Sequence, residues 1–187
     1  SELVLRELPV RSTCVMLAFP VVGAKHDDFL ALRLIDTLLS GGTASRLFRG
    51  LREEKRLAYD TASTYPVMAS CSRFTVYAVT RNAEMEEARA ALVAVLERLQ
   101  TDPVPAAELQ RAKAYLKSRY LLSHQYSAQY AFDLAWTVLL GQDTARERTL
   151  AADIDAITAQ DIQRVAQTYF TYYYLIVVMP EVLPDTA

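Results

Sequence analysis

Residues 40–65 read SGGTASRLFRGLREEKRLAYDTASTY, and within them one helix ends, a second helix runs and a strand begins. Two adjacent glycines follow an apolar helical pattern over 27–39, and glycine commonly ends a helix. Thr43 is suited to cap the next helix, which we predict over 44–57. The alternating segment 58–66 then predicts a strand.

The predicted second helix carries three arginines at a regular spacing. Arg46, Arg49 and Arg52 recur every three residues, so an α-helix would place them in one basic stripe. Glu53 lies four residues after Arg49 and is expected to pair with it. From composition alone, this segment is best interpreted as a solvated helical face.

The rest of the chain alternates between strand-like and helical patterns. Strands are predicted over 12–24, breaking near Pro20 and Gly23, over 72–80, and over a fully buried stretch at 175–179. Helices are predicted over 27–39, 83–100, 106–140 with a break near 123–127, and 158–170, where Thr158 and Asp161 resemble a capping box. This order predicts an α+β fold, a two-layer sandwich in which helices cover a mostly antiparallel sheet, with residues 1–187 forming a single domain.

Composition excludes several classes of protein. The chain has 187 residues, and 20 basic against 22 acidic side chains give a net charge of −2. That balance argues against a nucleic-acid-binding protein and against a polybasic membrane-surface protein. The longest apolar stretch, 14–24, is far shorter than the roughly 20 residues that span a bilayer, and the chain does not open with a secretory signal. The sequence therefore predicts a soluble globular domain without a transmembrane segment.

The sequence holds few residues that bind metals or act as nucleophiles. Cys14 and Cys71 are far apart and form no CxxC motif, so we predict two buried, reduced thiols. His26 and His124 are the only histidines, and neither lies in an HExxH or HxxEH motif. They are expected to be surface or capping residues. We therefore predict no metal site and no catalytic residue within this chain alone.

Two neighbouring motifs carry a resemblance to a known family. They are LLSGGTASRLF at 38–48 and LREEKRLAY at 51–59. This pattern resembles the C-terminal half-domain of pitrilysin/insulinase-type zinc peptidases, a superfamily that includes the mitochondrial processing peptidase and the core subunits of the bc1 complex. The resemblance implies the metallohydrolase-like half-domain fold of the mitochondrial processing peptidase type.

The resemblance also implies a division of labour between two homologous halves. In this family, an N-terminal half carries HxxEH and binds zinc, while the C-terminal half lacks metal and closes the chamber around a peptide substrate. Active members commonly place an arginine and a tyrosine, seven residues apart, opposite the zinc. Arg52 and Tyr59 fall on these positions, although Ala58 stands where glycine is frequent. Zinc is therefore expected in a missing N-terminal half or in a partner subunit, the assembly is expected to be a dimer, and this chain alone is not expected to be active.

The proposed pair also makes chemical sense. Arg52 lies near the end of its helix and Tyr59 begins the next strand, so a short turn can bring both to one edge of a cleft. A guanidinium and a phenol are both hydrogen-bond donors at neutral pH. Aimed at a peptide carbonyl, they would hold the substrate and stabilise the charge that develops on its oxygen.

Two alternative functions remain open from the sequence. One is a structural or assembly domain, because a fold does not determine function and inactive core subunits share this one. The other is an unrelated α+β domain that binds a small molecule. The lack of a disulfide pattern slightly favours the cytoplasm, and a periplasmic location would require a signal peptide upstream.

Overall fold

A five-stranded mixed sheet forms one layer of the computed structural model, which describes residues 2–181. The strand order is β1-β5-β2-β4-β3; only β1 and β5 run parallel, and the other described pairs are antiparallel. The strands are β1 Glu2–Leu8, β2 Thr13–Val22, β3 Asp60–Thr64, β4 Cys71–Thr80 and β5 Tyr174–Pro180. The helices are α1 Phe29–Ser40, a π-helical segment Phe48–Glu54, α2 Met85–Thr101, α3 Ala106–Ser123, α4 Ser127–Leu139, α5 Leu150–Ala156 and α6 Ala159–Tyr169, with 3₁₀ turns at Asn82–Glu84 and Thr144–Arg148.

The two longest strands, β2 and β4, pair along their whole length at the centre of the sheet. The predicted break at Pro20 is wrong, because β2 continues to Val22. Pro20 pairs with Arg73 of β4, while pairing of β2 with β5 has already ended at Ala18. The absent amide hydrogen of proline therefore costs no ladder hydrogen bond on the β5 side.

Helices cover one face of this sheet. The inward side chains of β2 and β4 alternate with outward ones and are fully buried, as the strand period requires. Phe19 of β2 and Phe74 of β4 both contact Phe170, at the end of α6, with ring centroids 5.0 Å apart. Leu92 and Leu99 of α2 are buried in the same core. The predicted α+β two-layer sandwich is confirmed.

No helix covers the other face of the sheet within the described residues, and the centre of this uncovered face is largely apolar. In the central strands it carries Cys14, Met16 and Ala18 of β2, which are half-buried, with Val79 of β4 and Val178 of β5 beside them. An antiparallel sheet with one solvated face ordinarily presents polar side chains there. We refer to this surface as the open face.

The two strands at the β1 end of the sheet differ from the prediction. No strand was predicted over 2–8, and every residue of β1 is exposed there, so the core imposes no strong apolar pattern on that segment. Strand β5 was predicted to be fully buried, but Val177 is its only fully buried residue. The reason is that β5 lies beside the exposed strand β1: alternate side chains point to the open face, and Leu175 and Met179 on the helical side are also only half-buried.

The helix predicted over 44–57 is shorter and of a different type. The observed segment Phe48–Glu54 is π-helical, with hydrogen bonds from residue i to i+5. The predicted cap at Thr43 is wrong, because the residue before the segment is Leu47, which provides no side-chain cap. Arg56 has a left-handed backbone with φ of 55°, which turns the chain out of the helix. Leu57 then donates its amide hydrogen to the carbonyl of Leu51, at 2.8 Å.

In the second half of the chain, α3, α4 and α6 match the predicted helices, whereas α5 was not predicted. The long helical pattern breaks between Ser123 and Ser127, as predicted. The capping box is also present: the Thr158 hydroxyl accepts from the amide of Asp161, and the Asp161 carboxylate accepts from the amide of Thr158. Within residues 2–181, no helix is both long and apolar enough to cross a membrane.

Candidate functional site

Arg52 lies in the last turn of the π-helical segment and points its charge to solvent. Its guanidinium carbon sits 5.2 Å from the centre of the Phe48 ring, one turn earlier in the segment. Stacking on an aromatic face holds a guanidinium in place without neutralising its charge. Within residues 2–181, no carboxylate lies within 4.0 Å of this guanidinium and no side chain accepts a hydrogen bond from it.

The other two arginines of the predicted stripe are both neutralised. Arg46 makes a bidentate pair with Glu108 of α3, at 2.7 and 2.9 Å, and both partners are mostly buried. Arg49 pairs with Glu54 at 3.5 Å rather than with the predicted Glu53. The π-helical hydrogen bonding explains this correction, because it brings residue i+5 beside residue i. Arg52 is therefore the one stripe arginine whose charge the described residues leave available.

Tyr59 lies directly before β3, one of the two edge strands of the sheet. Its backbone amide donates a hydrogen bond to the Val79 carbonyl at 2.8 Å, and this bond starts the pairing of β3 with β4. The backbone is therefore fixed, while 59% of the residue's surface is exposed. Its hydroxyl has no hydrogen-bond partner among the described residues. An exposed tyrosine on a fixed backbone is well suited to contact a ligand.

The connection between the two residues is anchored in the core. Leu51 and Leu57 are buried on either side of the turn, and Ala58 is buried directly before Tyr59. These contacts fix the places from which Arg52 and Tyr59 extend. No hydrogen bond joins the two described side chains to each other, so both keep their donors free for a third group.

Other polar groups on the open face are not activated for nucleophilic chemistry. Burial raises the pKa of the Cys14 thiol, and the nearby Asp60 carboxylate raises it further. Burial also raises the pKa of Tyr77, whose hydroxyl donates to Asp60 at 2.8 Å. Both groups stay protonated near neutral pH, whereas a cysteine nucleophile needs its thiolate.

The cysteines and histidines differ in part from their predicted environments. Cys71 is exposed and Cys14 is half-buried, so the prediction that both thiols are buried is wrong. Cys71 is the first residue of β4 and pairs with Val22, the last residue of β2, so it lies where the pairing of these strands ends. His26 is a surface residue, as predicted, and its Nδ1 accepts a hydrogen bond from the Asp28 amide at 3.1 Å without capping α1. His124 lies between the rings of Tyr120 and Tyr130 rather than on the surface.

Residues 2–181 contain no cluster of three or more histidine, cysteine or acidic side chains that could hold a metal ion. His26 and His124 lie in different parts of the fold, one before α1 and the other after α3. A zinc site needs three or four such ligands around one point. The side chains that the structure describes therefore do not fit a zinc ion.

A second group of charged residues was missed by the sequence analysis. Arg33 and Asp36 are the only charged residues of α1, a helix that is otherwise mostly apolar. Both line a cavity on the helical side of the sheet. Two charges within an apolar helix, three residues apart, are the sequence signal that could have identified this cavity.

Comparison with known proteins places residues 1–116 within the family model described as the peptidase M16 inactive domain. The chain is also 27% identical over 173 residues to a protein of Mycobacterium leprae that is named an uncharacterized zinc protease. That alignment covers 92% of this chain and 39% of the relative.

Solved structures give the same picture of the fold. A protease from Helicobacter pylori superposes with a TM-score of 0.85 at 27% identity, covering 95% of this chain and 43% of that one. A peptidase M16 inactive domain from Pseudomonas fluorescens superposes with a TM-score of 0.87 at 19% identity, covering 99% of this chain and 45% of that one. The chain thus spans about two fifths of the length of these relatives.

Proposed function

Because the chain belongs to the peptidase M16 inactive-domain family, we propose that it is the C-terminal half-domain of a zinc-dependent endopeptidase. In this proposal, the domain closes the chamber of the enzyme and holds the peptide substrate with Arg52 and Tyr59. It acts together with a zinc-bearing N-terminal half, either in the same polypeptide or in a partner subunit. The domain itself contributes binding and orientation rather than a nucleophile.

The observation that carries this proposal is the contrast among the three arginines near the π-helical segment. Arg46 and Arg49 pair with glutamates, whereas Arg52 is held over an aromatic ring with its donors free. A purely structural role would favour a neutralised or fully solvated side chain. A stacked guanidinium with no partner instead suits recognition of a carbonyl or carboxylate oxygen.

The pair can act on a substrate through hydrogen bonds. A guanidinium and a phenol donate to a peptide carbonyl from two directions, which fixes the position of the peptide. Donors aimed at the oxygen of the scissile bond also stabilise the negative charge that grows there during attack. The anchored turn from Leu51 to Ala58 supports this role, because donors held in advance need no rearrangement during the reaction.

The open face of the sheet supports a chamber-closing position. Its half-buried apolar side chains, which include Met16 and Val178, would be covered by a second domain or by an extended peptide. Large apolar patches on a protein surface commonly mark sites where another protein or a ligand binds. The zinc and its ligands belong to the facing half in this proposal, since the described residues do not fit the metal.

The proposal is tested by measuring zinc and peptide hydrolysis on the full-length protein. We expect about one zinc per zinc-bearing half, with hydrolysis of an unstructured peptide that is lost on chelation and restored by added zinc. The 187-residue chain alone is expected to bind no stoichiometric zinc and to cleave no peptide. A full-length protein that contains no zinc and hydrolyses no peptide, even after a zinc-bearing homologous subunit is added, would contradict the proposal. Such a result would favour a structural or assembly role.

A further inference from the structure

A cavity of about 820 Å³ lies on the helical side of the sheet, away from Arg52 and Tyr59. Its walls come from α1, α3, α4, α5 and the end of β3. None of α4 is fully buried, so that helix forms a wall of the cavity without joining the core. The volume falls within the range of roughly 300–1,000 Å³ that is typical of sites for small molecules.

The wall formed by α1 and α3 carries an excess of positive charge. Arg33 and Arg119 line it together with a single carboxylate, Asp36, which accepts from the Ser63 hydroxyl at 2.6 Å. Among the described residues, neither guanidinium has a carboxylate within 4.0 Å. Burial lowers the pKa of Arg33; the Asp36 carboxylate offsets part of this shift, and the nearby Arg119 adds to it, so a bound anion would further stabilise the charged guanidinium.

The cavity lining from α4 to α5 also carries carboxylates, and these are bonded to neutral groups. Asp133 of α4 accepts from the Gln129 amide at 2.8 Å, and Glu147 accepts from the Tyr130 hydroxyl at 2.9 Å. Within the described residues, neither of these carboxylates lies within 4.0 Å of Arg33 or Arg119. Arg33 and Arg119 therefore remain available to a bound anion, and Asp36 is the one carboxylate on their own wall.

An unsatisfied donor lies at the same wall. The hydroxyl of Tyr120 lines the cavity and is buried, and no hydrogen bond of good geometry completes it within residues 2–181, although the Glu147 carboxylate lies nearby. Burial, with the nearby Glu147 carboxylate as a second cause, raises the pKa of Tyr120 to about 12. The group therefore keeps its proton and has a hydrogen bond to give. Buried polar groups rarely remain unpaired unless a ligand or a water molecule completes them.

We propose that this cavity binds an organic carboxylate with an apolar body, of the kind presented by the C-terminal end of a short peptide. Arg33 and Arg119 pair with the carboxylate, and the Tyr120 hydroxyl donates to it. Leu116 and Trp136 contact the apolar body from two sides of the cavity. The site is independent of the proposed peptidase function, because it uses neither Arg52, Tyr59 nor the open face.

The only tryptophan of the chain provides a direct probe of binding, because Trp136 lines the cavity. The fluorescence of Trp136 is followed while the 187-residue chain is titrated with N-acetyl-leucyl-phenylalanine. The matched neutral probe is the C-terminal amide of the same dipeptide. We expect the acid to change the emission with saturation, and the amide to bind at least about tenfold more weakly, because it lacks the charge that the arginines recognise.

Variants of the two arginines test which residues hold the carboxylate. Arg33→Gln and Arg119→Gln should each weaken the acid at least about tenfold and leave the amide unchanged. Arg111→Gln, on the same helix as Arg119 but outside the cavity, is the control and should bind like the parent chain. Circular dichroism checks that each variant folds. If Arg33→Gln does not fold, the comparison of acid and amide with Arg119→Gln alone tests the proposal. Equal affinity for acid and amide, or no response to the acid up to its solubility limit, would overturn the proposal.

Discussion

Replacing Arg52 with alanine should lower kcat/KM for peptide hydrolysis by the complete peptidase at least about tenfold, without unfolding the protein. The reason is that the loss of one donor to a developing oxyanion typically costs about 3 kcal/mol of transition-state stabilisation. Tyr59→Phe should have a similar effect, because it removes only the free hydroxyl and keeps the ring. Steady-state kinetics with a fluorogenic peptide measures both variants.

Arg49→Ala is the matched control for this prediction. Arg49 lies on the same π-helical segment and is exposed like Arg52, but its charge is already paired with Glu54. Its removal should change kcat/KM less than about twofold, since exposed ion pairs contribute little. If Arg52→Ala and Tyr59→Phe also hydrolyse peptide at the parent rate, the whole segment returns to the interpretation of a solvated helical face.

Replacing Phe74 with alanine should destabilise the chain by about 3–5 kcal/mol, the typical cost of removing a buried phenylalanine. Phe74 is fully buried on β4, and its ring contacts the rings of Phe170 and Tyr65 at centroid distances of 5.0 and 6.0 Å. The deletion would leave a void between the sheet and α6. Urea denaturation followed by circular dichroism measures the free energy of unfolding.

Phe132→Ala removes the same side chain from an exposed position. Phe132 lies on α4 with 60% of its surface exposed, so its loss should change the free energy of unfolding by less than about 0.5 kcal/mol. Comparable destabilisation by the two substitutions would mean that the core does not lie between the sheet and the helices as described.

The sequence predicted the parts of the fold that the core controls. β2, β4, α1, α2 and α6 each bury one face, so their apolar residues repeat with the period of the element. β1 was missed for the opposite reason, because all of its residues are exposed and no buried face imposes a pattern on them. The prediction that β5 is fully buried was wrong, because an apolar run does not reveal that one face of a sheet remains uncovered.

The candidate site was predicted only as far as residue identity allows. The Arg52 and Tyr59 spacing was visible in the sequence, and the structure places them at the last turn of a helix and before an edge strand. The helix type was not visible, because an apolar pattern does not distinguish a π-helix from an α-helix over two turns. The pairing of Arg46 with Glu108 was also out of reach, since 62 residues separate the partners and only the packed fold brings them together.

Photo-crosslinking at position 59 tests most directly whether this domain contacts the peptide substrate. The variant Tyr59→p-benzoylphenylalanine is prepared in the full-length protein, zinc is removed by chelation so that the peptide stays intact, and a fluorescent substrate peptide is added before irradiation. Tyr126→p-benzoylphenylalanine, at an exposed position at the start of α4, is the control. We predict a crosslink to the peptide from position 59 that exceeds the control and that unlabelled peptide competes away. Equal labelling from both positions, or none from position 59, would contradict the account.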